Sequence, residues 1–115
     1  LVNWMTEKKA EILSLNAKYG PIAAKAFPGR AAILVKLLEL DETNISAVYE
    51  IKGSIKVNHF VPGTKIPILA EKHLYEQEIQ PPVILNLAWH IASEVEANLR
   101  KNKISSKIIN IKEML

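Results

Sequence analysis

No cysteine occurs in the 115 residues, so disulfides, thiolate nucleophiles and cysteine-held structural zinc are excluded, and nothing argues for an oxidising compartment. No apolar run approaches the ~20 residues that a membrane-crossing helix needs, and the first residues do not have the layout of a signal peptide. A soluble, cytoplasmic protein without a membrane partner is the expectation. Glycine is scarce, at four residues, and the full G-x-G-x-x-G dinucleotide fingerprint is missing, which disfavours NAD or FAD. Charge of one sign is also in short supply: 15 Lys and Arg against 12 Asp and Glu leave a formal net charge of +3, and the two signs alternate along most of the chain. Without a long basic stripe, nucleic acid is not an expected partner, whereas mild basicity suits an anionic small molecule. His59 and His73 have no metal-ligand spacing with each other or with a carboxylate cluster; both are expected at the surface, and no metal site is expected.

What is present suffices for one domain, since 49% hydrophobic residues over this length can bury a single core without staples. Residues 1–18 carry Leu1, Met5, Ile12 and Leu15 at roughly helical spacing, and Tyr19-Gly20-Pro21 ends the run, which predicts an opening amphipathic helix. PIAAKAF, 21–27, is short, apolar and bounded by Gly-Pro and Pro-Gly, so a buried strand is predicted despite its alanines. AAILVKLLEL, 31–40, has only Lys36 and Glu39 as charges and predicts a helix covered on both sides, by a sheet and by a second domain. ISAVYEI, 45–51, has the β-branched and aromatic content of a strand ending near Glu50. An irregular excursion follows, with a Pro62-Gly63 turn, an extended piece near Ile66 to Leu69 and a short helix from Glu71 to Glu76. VILNLAW, 83–89, is nearly continuous apolar sequence and is the best central strand. In the next helix Ile91, Val95 and Leu99 repeat every four residues, with Glu96 and Arg100 at ion-pair spacing, and KIINI, 107–111, is a final strand. Such alternation predicts an α/β fold, a Rossmann-like three-layer sandwich with a mostly parallel sheet of four or five strands. The chain opens on Leu1 rather than Met, and a fragment of a longer protein is expected.

If strand 21–27 lies between strands 45–51 and 83–89, chain order reverses there, and open α/β sheets take their ligands at such a reversal, outside the carboxyl ends of the strands. Pro28, Gly29 and Arg30 follow the first of these strands, Trp89 and His90 the third, and Glu50 and Lys52 the neighbouring one. Gly29 permits close backbone approach, the amides of the following helix can bind an anion, and Arg30 offers a planar fork for phosphate; equally, Pro-Gly between strand and helix is often only a turn. His90 is a candidate acid or base, a donor of a hydrogen bond to a sugar hydroxyl, or a histidine packing beside Trp89. Trp89 either stacks on a ligand ring or fills core. Glu50 stands where a ribose-binding acid would stand, or is a solvated carboxylate. Lys52 and Lys56 are phosphate ligands or solvated loop lysines, and Pro62-Gly63-Thr64 is most simply a turn.

Three stretches taken in order carry a family resemblance: PGRA before an apolar helix, YEIKGSIKVNHFVPGTKIPIL, and ILNLAWHIASEVEANLR. Together, over about residues 21–111, they resemble the C-terminal domain of the S-adenosylmethionine-dependent sugar C-methyltransferases, most specifically in KVNHFVPGTKIPIL and LAWHIASEV. The resemblance implies a parent protein with a zinc-binding N-terminal region, a central domain holding S-adenosylmethionine, and this Rossmann-like domain, with a nucleotide-linked deoxysugar between the last two. It places Pro28, Gly29 and Arg30 on the family's strand-to-helix turn, Lys56 on a lysine preceding the Pro-Gly-Thr segment, Pro62, Gly63 and Thr64 on that segment, and Trp89 and His90 on a Trp-Asn or Trp-His pair. Departures matter. Phe27-Pro28-Gly29-Arg30 replaces a Tyr-Gly-Ala type of turn ending in lysine, many relatives have Asn where His90 stands, and IINIKEML lacks the usual proline-rich finish. With neither a glycine-rich cofactor turn nor cysteines, the isolated chain is not expected to hold S-adenosylmethionine or zinc, or to transfer a methyl group. The expected partners are the S-adenosylmethionine-binding domain of the same parent chain and the nucleotide-sugar. Two alternatives stay open: a ligand-free docking or homodimerisation module, and a free-standing binding protein for a phosphorylated metabolite.

Overall fold

Ile22–Lys25 forms β1, the middle strand of the sheet, and all four of its residues are buried. Alanines make poor strand formers, but β1 pairs on both sides and is covered on both faces, so context outweighs propensity. The computed structural model describes residues 2–113, so Leu1 of the expected opening helix and residues 114 and 115 of the expected chain end lie outside them. The elements run α1 (Val2–Tyr19), β1, α2 (Ala31–Leu37), β2 (Ile45–Glu50), β3 (Ile68–Ala70), α3 (Lys72–Tyr75), β4 (Val83–Asn86), a single 3₁₀ turn (Trp89–Ile91), α4 (Ala92–Lys101) and β5 (Lys107–Asn110).

The five strands lie in the order β3-β2-β1-β4-β5, and every pairing is parallel. This is an α/β Rossmann-like sandwich. Its two apolar layers follow from strand alternation. Ile22 and Ala24 of β1, Val48 of β2, and Val83 and Leu85 of β4 bury against Ile12 of α1 and Ala31 and Val35 of α2. Ala23, Ala47, Tyr49 and Ile84 face the other way, against Leu74 of α3 and Val95 and Leu99 of α4.

α1 is tied to the rest at three points. Trp4 Nε1 donates to Ile111 O just past β5 (3.0 Å), Lys9 Nζ donates to Leu38 O and Glu39 O at the end of α2 (2.7 and 3.0 Å), and Asn16 Nδ2 donates to Asn44 O before β2 (2.9 Å). Lys9 thereby places a cation on the carbonyl end of α2, where the helix dipole favours it.

Most boundaries lie within two residues of those expected, and two differ by more. α2 stops at Leu37 rather than at residue 40, because Glu39 turns left-handed (φ 52) and Leu40 N–H bonds back to Val35 O. β4 ends at Asn86 rather than Trp89. The buried Asn86 side chain accepts from Ala88 N–H (2.9 Å), which turns the chain off the sheet. Trp89, His90 and Ile91 therefore form their own turn ahead of α4, which leaves Ile91 exposed while Val95 and Leu99 are buried as the spacing predicts. Glu96 and Arg100 do pair, at 3.5 Å. The excursion between β2 and β3 folds over the α2 face, anchored by buried Val61 and Ile66. Within it Pro62-Gly63-Thr64 is a turn, with Gly63 at φ 78 and Thr64 Oγ1 donating to Val61 O (2.8 Å).

Candidate functional site

The reversal of chain order falls between β1 and β4, where the sequence placed it. The pairing continues for one bond beyond the strands, from Leu87 N–H to Lys25 O (3.1 Å), and the two chains then part. On the β1 side Ala26 takes a left-handed φ of 67, and Phe27 turns into the core.

The peptide of Phe27 is held at both ends. Its N–H donates to Glu50 Oε1 (3.1 Å), and its carbonyl accepts from Lys56 Nζ, which also sits over the Phe27 ring at 5.6 Å from the centroid. Glu50 is buried and accepts a second bond from Ser54 Oγ (3.1 Å), so it is not the solvated carboxylate that sequence alone allowed. Both its oxygens already have protein partners. Glu50 and Lys56 thus fix the geometry of the turn that carries Pro28, Gly29 and Arg30.

In that turn Ala31 N–H donates to Pro28 O (2.9 Å), so the first amide of α2 is already engaged. Gly29 does not need a left-handed backbone, and a Cβ built on it would meet nothing within 4 Å. The space above it is open. Arg30 is exposed and caps nothing with its side chain.

On the β4 side, Trp89 packs on the α1–α2 core layer, with the His90 ring edge-on at 5.8 Å and Lys112 Nζ 5.0 Å from its centroid. Its indole N–H is buried without an acceptor among the described residues. Trp89 and exposed His90 line a cleft of about 330 Å³ with Asn110 and Lys112. Pro62, Gly63 and Thr64 instead border a separate cleft of about 570 Å³ beside Ala32, Ile33 and Lys36 of α2. The residues singled out in the sequence therefore occupy the carboxyl edge at β1 and β4 and a second place along α2. His59 and His73 are exposed.

Sequence reasoning missed a polar cluster on the opposite face of the sheet. Lys25 of β1, 3% exposed, pairs with Glu71 Oε2 (2.9 Å) just before α3. Tyr75 OH donates to the same oxygen (3.2 Å) and accepts from Asn98 Nδ2 of α4 (3.3 Å). A lone lysine in the run IAAK was the available signal, because a strand buried on both faces forces any charge on it to find a partner.

Burial, the neighbouring Glu71 charge and the hydrogen bond to it together push the Tyr75 phenol up from 10.0 to about 12. The folded state thus holds this proton more tightly than the unfolded chain. Its contribution to stability is complete below pH 10 and is lost as pH rises through about 12. A phenolate absorbance titration should show a late phase near pH 12, and Tyr75→Phe should remove it. An early, single-step titration in the wild type would contradict the cluster.

The residues present do not fit the cofactors that the resemblance implies for a parent protein. There is no cysteine for zinc, and among the described residues no group of three His, Asp or Glu side chains converges. The β1 turn has a single glycine behind a buried Phe27, unlike a glycine-rich turn that could cradle S-adenosylmethionine. Among the described residues no helix is long and apolar enough to cross a membrane.

No curated protein matches the chain. The model of a known family, described as the C-methyltransferase C-terminal domain, matches residues 3–109. That match takes in α1 as well as the motifs of the sheet, the crevice and the excursion, and the chain belongs to the C-methyltransferase C-terminal domain family.

Proposed function

We propose that this domain helps to hold a nucleotide-linked sugar for an S-adenosylmethionine-dependent C-methyltransferase, while a further domain of the same parent chain binds the methyl donor and carries out the transfer. The observation that carries this proposal is the reversal between β1 and β4, which sets the Phe27–Arg30 turn beside the Ala88–His90 turn at the carboxyl edge of the sheet. Arg30 pairs with the ligand diphosphate, Gly29 lets it approach the backbone, and His90 hydrogen-bonds a sugar hydroxyl, a role Asn could fill equally well. Zinc belongs to the parent's N-terminal region. A cytoplasmic setting is part of the same proposal and is supported by the lack of cysteine.

The methyl-donor domain rests on α2. Ile33 and Leu37 are 62% and 42% exposed there, on a helix whose one charge is Lys36 and whose Ala31 and Val35 pack on the sheet. The alternative docking or homodimer role draws on the same two side chains, and sedimentation of the chain distinguishes a self-associating module from a monomer.

Isothermal titration of the chain with thymidine diphosphate and a thymidine diphosphate sugar is the direct test. Arg30→Ala is expected to weaken binding about tenfold or more, the size of a lost charge-assisted pair. Gly29→Ala is expected to leave stability unchanged, since its Cβ meets nothing, yet to weaken binding by crowding the ligand. Absence of binding by the wild type, or full affinity in Arg30→Ala, would refute the proposal.

A further inference from the structure

A cleft of about 710 Å³ opens at the carboxyl ends of β2 and β3, between the loop Lys52–Asn58 and the start of α3. Its walls include Lys52, Ser54, Val57, Glu71, Lys72 and Tyr75. Ser54 bonds to Glu50, which in turn holds Phe27, so this cleft is joined to the Pro28–Arg30 turn by a continuous chain of contacts.

The acid that would hold a ribose in such a fold stands at the end of β2, and here that acid, Glu50, has both oxygens engaged within the protein. Glu71 is placed one strand further along. Its backbone N–H donates to Glu50 O (2.7 Å), and its Oε2 is taken by Lys25 and Tyr75, while Oε1 accepts no hydrogen bond among the described residues. The side chain is 22% exposed, and it is fixed in place by the buried Lys25 ammonium. A carboxylate held in this way can only accept, so its free oxygen calls for a hydroxyl or another donor. Exposed Lys52 and Lys72 border the same space, which favours a ligand that also carries negative charge and disfavours a cation.

We infer that this cleft takes the pentose of the nucleoside diphosphate, with its 3′-hydroxyl donating to Glu71 Oε1 and the lysines drawing in the diphosphate. The inference rests on the nucleotide-linked ligand proposed above and names the part of the site that receives its nucleoside end. Glu71 acts here as a binding residue, and Glu50, used in the turn, does not.

Because Glu71 is tied to a buried lysine, the decisive change is made on the ligand. The 115-residue chain is titrated by amide NMR with thymidine diphosphate, 3′-deoxythymidine diphosphate and inorganic pyrophosphate. Thymidine diphosphate should shift Gly53, Ser54, Glu71 and Lys72, and the 3′-deoxy compound should bind tenfold or more weakly. Lys52→Ala combined with Lys72→Ala, both exposed and without ion-pair partners among the described residues, should fold normally and bind at least fivefold more weakly. Equal affinity for the 3′-deoxy compound, equal affinity in the double variant, or a shift of Glu71 by pyrophosphate as large as that by thymidine diphosphate would each overturn the assignment. Shifts confined to Gly29, Arg30 and the Trp89 indole would overturn it while leaving the crevice proposal standing. No binding of thymidine diphosphate anywhere would overturn both.

Discussion

Glu71→Ala is expected to lower the stability of the domain by about 3 kcal/mol or more, among the largest effects of any single polar substitution here. The cause is the ammonium left behind. Lys25 is 3% exposed in the middle strand, and Glu71 is its one hydrogen-bonding partner among the described residues. Removing the carboxylate leaves a buried charge without compensation, and Tyr75 loses its acceptor as well. For a domain of this size such a loss corresponds to a fall in Tm on the order of 10 °C or more. Breaking the pair is costly, but the pair need not be worth much in itself, since the desolvation of two charges offsets most of their attraction. Lys25→Met combined with Glu71→Leu should therefore recover stability to within about 1 kcal/mol of the wild type. Urea denaturation of the two variants decides the matter. A Glu71→Ala protein as stable as wild type, or a double variant no better than the single, would mean that Lys25 is not buried against Glu71 in solution.

The same lysine shows where sequence reading stopped. Strand positions, the order of elements and the reversal at β1 were legible because long apolar runs bounded by Gly and Pro leave few alternatives, and the parallel connection rules then fix the arrangement. The ends of elements were not legible. β4 stops at Asn86 because of a side-chain bond to Ala88, and α2 stops at Leu37 because Glu39 accepts a left-handed backbone, choices of one residue each that leave no periodic trace. The site was half legible. Pro28, Gly29, Arg30, Trp89 and His90 stand at strand ends and could be placed by topology. Glu50 and Lys56 were found for their charge but are spent on the Phe27 peptide, a contact between residues 23 and 29 positions apart that no local pattern encodes. Glu71 was missed because its importance depends on Lys25, 46 residues earlier.

Leu85→Ala should cost about 2–5 kcal/mol, whereas Ile33→Ala should cost well under 1 kcal/mol, although both remove an aliphatic side chain from a regular element. Leu85 has no exposed surface and lies in the strand between β1 and β5, on the face closed by α1, so truncation leaves a void that three packed layers cannot readily collapse around. Ile33 lies on α2 with 62% of its surface exposed, and its loss removes little from the core. In the assembly proposed above, its apolar surface instead serves the contact with the methyl-donor domain. Ile33→Glu should accordingly leave the urea midpoint of this domain nearly unchanged while weakening its association with that domain, measured with the two domains as separate chains. A large loss of stability in Ile33→Glu would show that this face of α2 is part of the domain's own core. Unchanged association would show that the methyl-donor domain rests elsewhere.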